Sequence, residues 1–165
     1  MSVEMLANVG QALAVVTAVV FGIVQVRQFL RAREREAAFA LMRSLQTREM
    51  LKGLLVLDDL PADLDRDELE NRLGDDFIYV QSLLGTWESL GILVFHGEVD
   101  LTLVDDFYSG PIVQSWHKLR GLVEDVRRRT DRETRWEWFQ WLAERMIELE
   151  EDTPPIPAHE KHRPT

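Results

Sequence analysis

No charged residue occurs between Glu4 and Arg27, and this uncharged run over residues 5–26 constrains the chain more than any other feature. A helix rises about 1.5 Å per residue, so the 22 residues of the run cover roughly 33 Å, enough for a hydrocarbon core of about 30 Å. Within it, Ala12–Val24 is apolar apart from Thr17. A cleavable signal peptide calls for a basic stretch ahead of the apolar run and a small-x-small exit. Here the preceding residues include Glu4 and no Lys or Arg. The expectation is a membrane-spanning helix over 5–26, with a buried helix of a soluble domain and a cleaved signal as competing readings.

The flanks give an orientation. Arg27, Arg31, Arg33 and Arg35 follow the run closely, whereas no Lys or Arg precedes it. The positive-inside bias then puts the N-terminus outside and the C-terminal bulk in the cytoplasm, with these arginines at the lipid head groups. Along the span, Gly10, Ala14, Ala18 and Gly22 recur every fourth residue and form one stripe of small side chains. Such a stripe lets two helix backbones approach closely in lipid, and Gln11 and Gln25 beside it offer hydrogen bonds to a partner helix. Self-association through this face is the expectation; the frequency of Gly and Ala in any membrane helix is the bland alternative.

Composition narrows the remaining classes. With 45% hydrophobic and 29% charged residues, the chain of 165 is neither disordered throughout nor of low complexity. Zero Cys excludes a disulfide scaffold, a Cys-ligated metal and a thiol nucleophile. A net charge of −10 argues against nucleic acid as a partner, because such binding is driven by cations on phosphates. The charge is unevenly spread: residues 27–52 balance at +4 and residues 53–165 at −13.

Beyond the span the pattern is helical. No Pro interrupts 27–57, so the membrane helix is expected to continue as a stalk over those residues. Pro61 and five Asp mark a loop over 57–67. A second helical region runs from about Arg66 to Leu90, with Phe77, Val80, Leu84 and Trp87 on its buried face, a kink at Gly74 and a C-terminal cap at Gly91. Residues 92–99 read as a turn or a brief strand. Asp100 caps a short helix to Tyr108, Gly110–Pro111 ends it and starts the next, and Asp131 caps the last. The inner faces of these two helices carry Trp116, Leu119, Val123 and Val126, then Trp136, Phe139, Leu142, Met146 and Leu149. The fold class is therefore all-α: a transmembrane helix (5–26), a stalk (27–57), a small cytoplasmic helical bundle (58–150) and a disordered tail (151–165).

Candidate chemistry is sparse. Asp63, Asp65 and Asp67 match the first ligand positions of an EF-hand loop, but Glu68 stands where the turn needs Gly and Gly74 where a bidentate Glu is needed. His96, His117, His159 and His162 form no ligand set, and Ser115 and His117, two apart on a helix, point to different sides. Neither a catalytic residue, a metal site nor a cofactor is expected. Arg127–Arg129 is read as a cluster complementing a helix C-terminus, with an anionic partner as the alternative. Trp136, Trp138 and Trp141 cannot all face one core, which makes Trp138 and Trp141 a candidate partner face, with burial inside the same bundle as the alternative.

The order Trp87-Glu88-Ser89-Leu90-Gly91-Ile92-Leu93, then Gly97, Asp100, Phe107-Tyr108, Ile112, Trp116 and the closing Phe139-Gln140-Trp141-Leu142 carries a resemblance. Over Leu83–Met146 the chain resembles an uncharacterised bacterial family, a domain of unknown function found in short proteins with an N-terminal membrane helix. That resemblance implies a fold and a bacterial inner membrane, and no activity, cofactor or catalytic residue. Its motif residues are core and turn positions, among which Glu88 is the polar residue suited to bonding a neighbouring backbone.

The functional expectation is a single-pass membrane-anchored protein-interaction module: a homo-oligomer in the lipid bilayer whose helical domain contacts a cytoplasmic protein. Two other classes stand beside it. One is a membrane-acting effector or regulator of a bacterial stress or phage-defence module. The other is an enzyme using Glu88, Asp105 or Asp106.

Overall fold

A computed structural model describes residues 16–29, 33, 36, 40, 43, 46–154 and 156–161. The chain divides into two units, Met1–Met42 and Arg43–Thr165. Among the described residues every regular element is helical, as the sequence pattern predicts.

In the first unit, α1 (Val16–Phe29) is an apolar helix whose side chains are all exposed. In the second, α2 (Arg48–Asp58), α3 (Arg66–Leu73), α4 (Phe77–Phe95), α5 (Leu101–Thr130) and α6 (Glu137–Asp152) form a bundle, followed by the single turn α7 (Ala158–Lys161). Helix α4 is central, packed against α2 on one side and α6 on another, and α5 packs against α6. The continuous helical stretch Arg66–Phe95 is long and apolar enough to cross a membrane by length and composition, yet 44% of its apolar window is buried among neighbouring helices. The anticipated faces of α4, α5 and α6 line the core: Val80, Leu84, Trp87, Leu119, Val123, Phe139, Leu142 and Met146 are all fully buried.

Four boundaries differ from the sequence expectation. The expected stalk is interrupted at Gln46–Thr47, where Thr47 is extended and its hydroxyl accepts from the Met50 N–H, so α2 starts afresh. Met50 and Leu57 are buried, which places 48–57 in the bundle. Gly91 is not a cap: α4 continues through it to Phe95, and no strand forms over 92–95. Pro111 lies inside α5, not at the start of a new helix. Proline removes one backbone N–H and crowds the preceding turn, at about 3 kcal/mol in a helix interior. Gly110 before it has no Cβ to meet the ring, and burial of Val104 and Ile112 on either side, with Ser115 Oγ donating to the Pro111 carbonyl, keeps the helix whole. Asp131 ends α5 in the left-handed conformation (φ 51°) instead of capping α6, which extends to Asp152. The short α7 falls within the segment expected to be disordered.

Candidate functional site: the aromatic face of α4 and α6

The site begins with a glycine. A Cβ built on Gly91 would fall 2.7 Å from the Trp138 carbonyl carbon, so only glycine lets the first turn of α6 rest on α4. That turn lacks a cap of its own, since Trp136 makes no side-chain capping bond. Glu88, one turn before Gly91, supplies it: its Oε2 accepts from the Phe139 N–H at 2.8 Å, and the Trp138 N–H also bonds to the carboxyl. The structural role anticipated for Glu88 is thus to satisfy orphan donors at a helix N-terminus from a neighbouring helix. Burial pushes the Glu88 carboxyl above the usual glutamate range, and the two backbone hydrogen bonds only partly offset this.

With α6 seated this way, Trp138 and Trp141 meet Phe95 at the end of α4. The Phe95 ring lies 4.5 Å from that of Trp138 and 5.5 Å, edge-on, from that of Trp141. His96 packs edge-on against Phe95 at 5.4 Å, and the two Trp rings are 6.4 Å apart. Such tilted and edge-to-face geometries are the favoured ones for aromatic pairs. Phe95 is 52% exposed and both Trp are half-buried, so the cluster is a surface with a buried root. Leu93 and Ile92 are exposed on the same last turn of α4. The sequence spacing pairs the two Trp but leaves out Phe95, which falls in the 92–99 stretch expected as a turn or strand. Helical spacing of Gly91 and Phe95 was the available signal. Trp136, expected in the core, is instead half-buried at the turn into α6 with the Arg135 guanidinium 4.8 Å above its ring.

The remaining sequence candidates separate. Ala18, Gly22, Gln25 and Arg27 lie on α1 and are exposed, and nothing stands within 4 Å of a Cβ built on Gly22. Arg33 is helical and exposed, 5.7 Å above the Phe29 ring. Gly10, Gln11, Ala14, Arg31 and Arg35 fall outside the described residues.

The acidic loop is engaged by arginines. Arg120 donates to both carboxylate oxygens of Asp63, Arg129 to both of Asp67, and Asp65 caps α3 in a reciprocal box with Glu68. Those hydrogen bonds from Arg120 and Arg129 hold the Asp63 and Asp67 carboxyls below the ordinary value of 3.8. Arg129 also pairs with Asp125 at 2.7 Å, so the Arg127–Arg129 cluster serves contacts within the bundle. Among the described residues no group of three His, Cys, Asp or Glu could hold a metal ion. Ser115 is fully buried, accepting from Trp87 Nε1 at 3.0 Å while donating to Pro111.

Residues 12–146 match the protein family described as a domain of unknown function, DUF4760. The chain belongs to that family. The match covers α1 as well as most of the bundle, a wider span than the Leu83–Met146 stretch that carries the resemblance in sequence. Comparison with the curated proteins and with the solved structures finds no match.

Proposed function

We propose that this DUF4760 chain is a single-pass membrane-anchored protein-interaction module that self-associates through its membrane helix. Its bundle presents the Phe95–Trp138–Trp141 face to a cytoplasmic protein. The observation carrying this reading is α1, whose large apolar side chains are 43–62% exposed. A helix with so much exposed apolar surface is suited to an apolar medium, and a bilayer supplies one. The uncharged length of 5–26 and the arginines after it support a span with the N-terminus outside, in a bacterial plasma membrane. The stripe of Gly10, Ala14, Ala18 and Gly22 supports pairing of two such helices.

The chain has no Cys, so single-cysteine labelling tests the reading cleanly. Ser2→Cys should react with a membrane-impermeant maleimide on intact spheroplasts, and Thr130→Cys only after permeabilisation, in protein that resists alkaline carbonate extraction. Equal labelling of both variants in carbonate-extractable protein would refute a spanning anchor.

A further inference from the structure

A cleft of about 220 Å³ opens where the start of α3, the middle of α4, the end of α5 and the turn before α6 converge. Buried Leu84 and Leu122 lie beneath it, and Trp136, Arg135, Arg66 and Gly85 surround it. Three features of these residues lack a structural reason within the bundle.

The first is Gly85. Glycine weakens a helix interior, and the other glycines in the bundle's α-helices have a reason to be there. Gly53, Gly91 and Gly121 each touch another segment's backbone so closely that a Cβ would collide, and Gly110 precedes Pro111. A Cβ on Gly85 would meet nothing within 4 Å. What glycine preserves there is the open cleft. The second is Trp136, a bulky residue held at φ 54°, a conformation that such side chains rarely adopt. The strain turns its ring into a wall of the cleft.

The third is charge. Among the described residues the Arg135 guanidinium has no carboxylate partner, only the Trp136 ring beneath it. Arg66 donates to Glu70 through Nε at 2.7 Å, and among the described residues no hydrogen bond engages its terminal nitrogens. The nearby Glu88 is committed to the N-terminus of α6. In a chain of net charge −10, this cleft is a local cationic spot over an apolar floor.

We propose that the cleft binds a small amphiphilic carboxylate, its aliphatic body on Leu84, Leu122 and Trp136 and its head group on Arg135 and Arg66. Two guanidinium forks suit a carboxylate, and the volume suits a short chain. This site is separate from the aromatic face and stands whether or not that face binds a protein.

Hexanoate is the probe, titrated into the full-length chain in phosphatidylcholine nanodiscs while Trp fluorescence is followed. Partition into the bilayer is then common to every variant. Saturable binding of hexanoate, and none of hexylammonium, is expected. Arg135→Gln should weaken it about tenfold, the scale of one lost charge-assisted hydrogen bond. Gly85→Phe should abolish it while leaving the thermal midpoint at or above the wild-type value, because the side chain enters empty space. Non-saturable hexanoate, equal binding of hexylammonium, or unchanged binding in a folded Gly85→Phe would each overturn the proposal.

Discussion

Two segments are fastened to the bundle by the same backbone device and by a different mix of apolar and ionic contacts. The loop before α3 lies against α5 at Gly121, where a Cβ would fall 2.6 Å from the Asp63 carbonyl carbon. The first turn of α6 lies against α4 at Gly91 in the same manner. The balance of forces differs. The loop is held by one buried side chain, Leu60, by Lys118 donating to the Leu60 carbonyl and by the half-exposed Arg120–Asp63 pair, with Arg129–Asp67 at the start of α3 beside it, whereas α6 is held by the fully buried Phe139, Leu142 and Met146 and by the half-buried Glu88 cap. Exposed ion pairs contribute little each and are screened by salt, while burial of apolar area is not weakened by charge screening. The loop attachment therefore depends more on charge screening than the α6 attachment does, and the aromatic face sits on the second.

The largest expected effect is at Gly91. Gly91→Ala forces α6 away from α4 and should destabilise the bundle by about 3 kcal/mol, read from urea denaturation. Gly121→Ala meets a loop that can lift, and should lose only about 1 kcal/mol. Equal losses would break the contrast. Next comes Glu88→Ala, which removes the cap from α6 and should cost about 1–2 kcal/mol. Glu88→Gln keeps an acceptor and should restore most of it, a pattern that simple loss of packing does not give.

Asp125→Asn should follow at about 1 kcal/mol, because Asp125 is 7% exposed and accepts from Arg129, Arg128 and the Arg66 N–H. Burial alone would raise its carboxyl, but those hydrogen bonds and charges bring it below the ordinary 3.8. Smallest is Arg120→Gln, whose loss of stability should shrink as salt is added, because both partners in that pair are about half exposed.

Acid separates the two attachments by sign. Asp63, Asp67 and Asp125 have folded values below their unfolded one, so their contribution is present above 3.8 and is lost as pH falls through the folded values. Glu88 runs the other way: its folded value is raised above 4.5, so its contribution is present below 4.5 and fades as pH rises through the folded value. Urea midpoints between about pH 2 and pH 6 should therefore fall less steeply on acidification in Arg120→Gln than in the wild type.

The parts of this fold legible in the sequence are those written as spacing. The buried faces of α4, α5 and α6 repeat every three to four residues, and packing selects the same stripes. The missed features were decided by contacts distant in sequence. Gly91 reads locally as a helix cap, yet what requires glycine there is the backbone of Trp138, 47 positions later. Pro111 reads as a helix start, yet tertiary burial on both sides carries α5 through it. The candidate face was half visible: two Trp three apart announce a cluster, but Phe95 joins it only because α4 runs a turn further than its glycine suggests. The cleft beside Trp136 left no local signature, since nothing in the residues around it announces a tryptophan in the left-handed region.

Crosslinking in intact membranes tests the central claim most directly, comparing the full-length protein with a variant in which Gly10, Ala14, Ala18 and Gly22 are all Leu. Crosslinked dimers or higher species in the wild type that disappear in the variant are the predicted result. Crosslinks that persist unchanged, or that form in neither protein, would contradict self-association through the membrane helix.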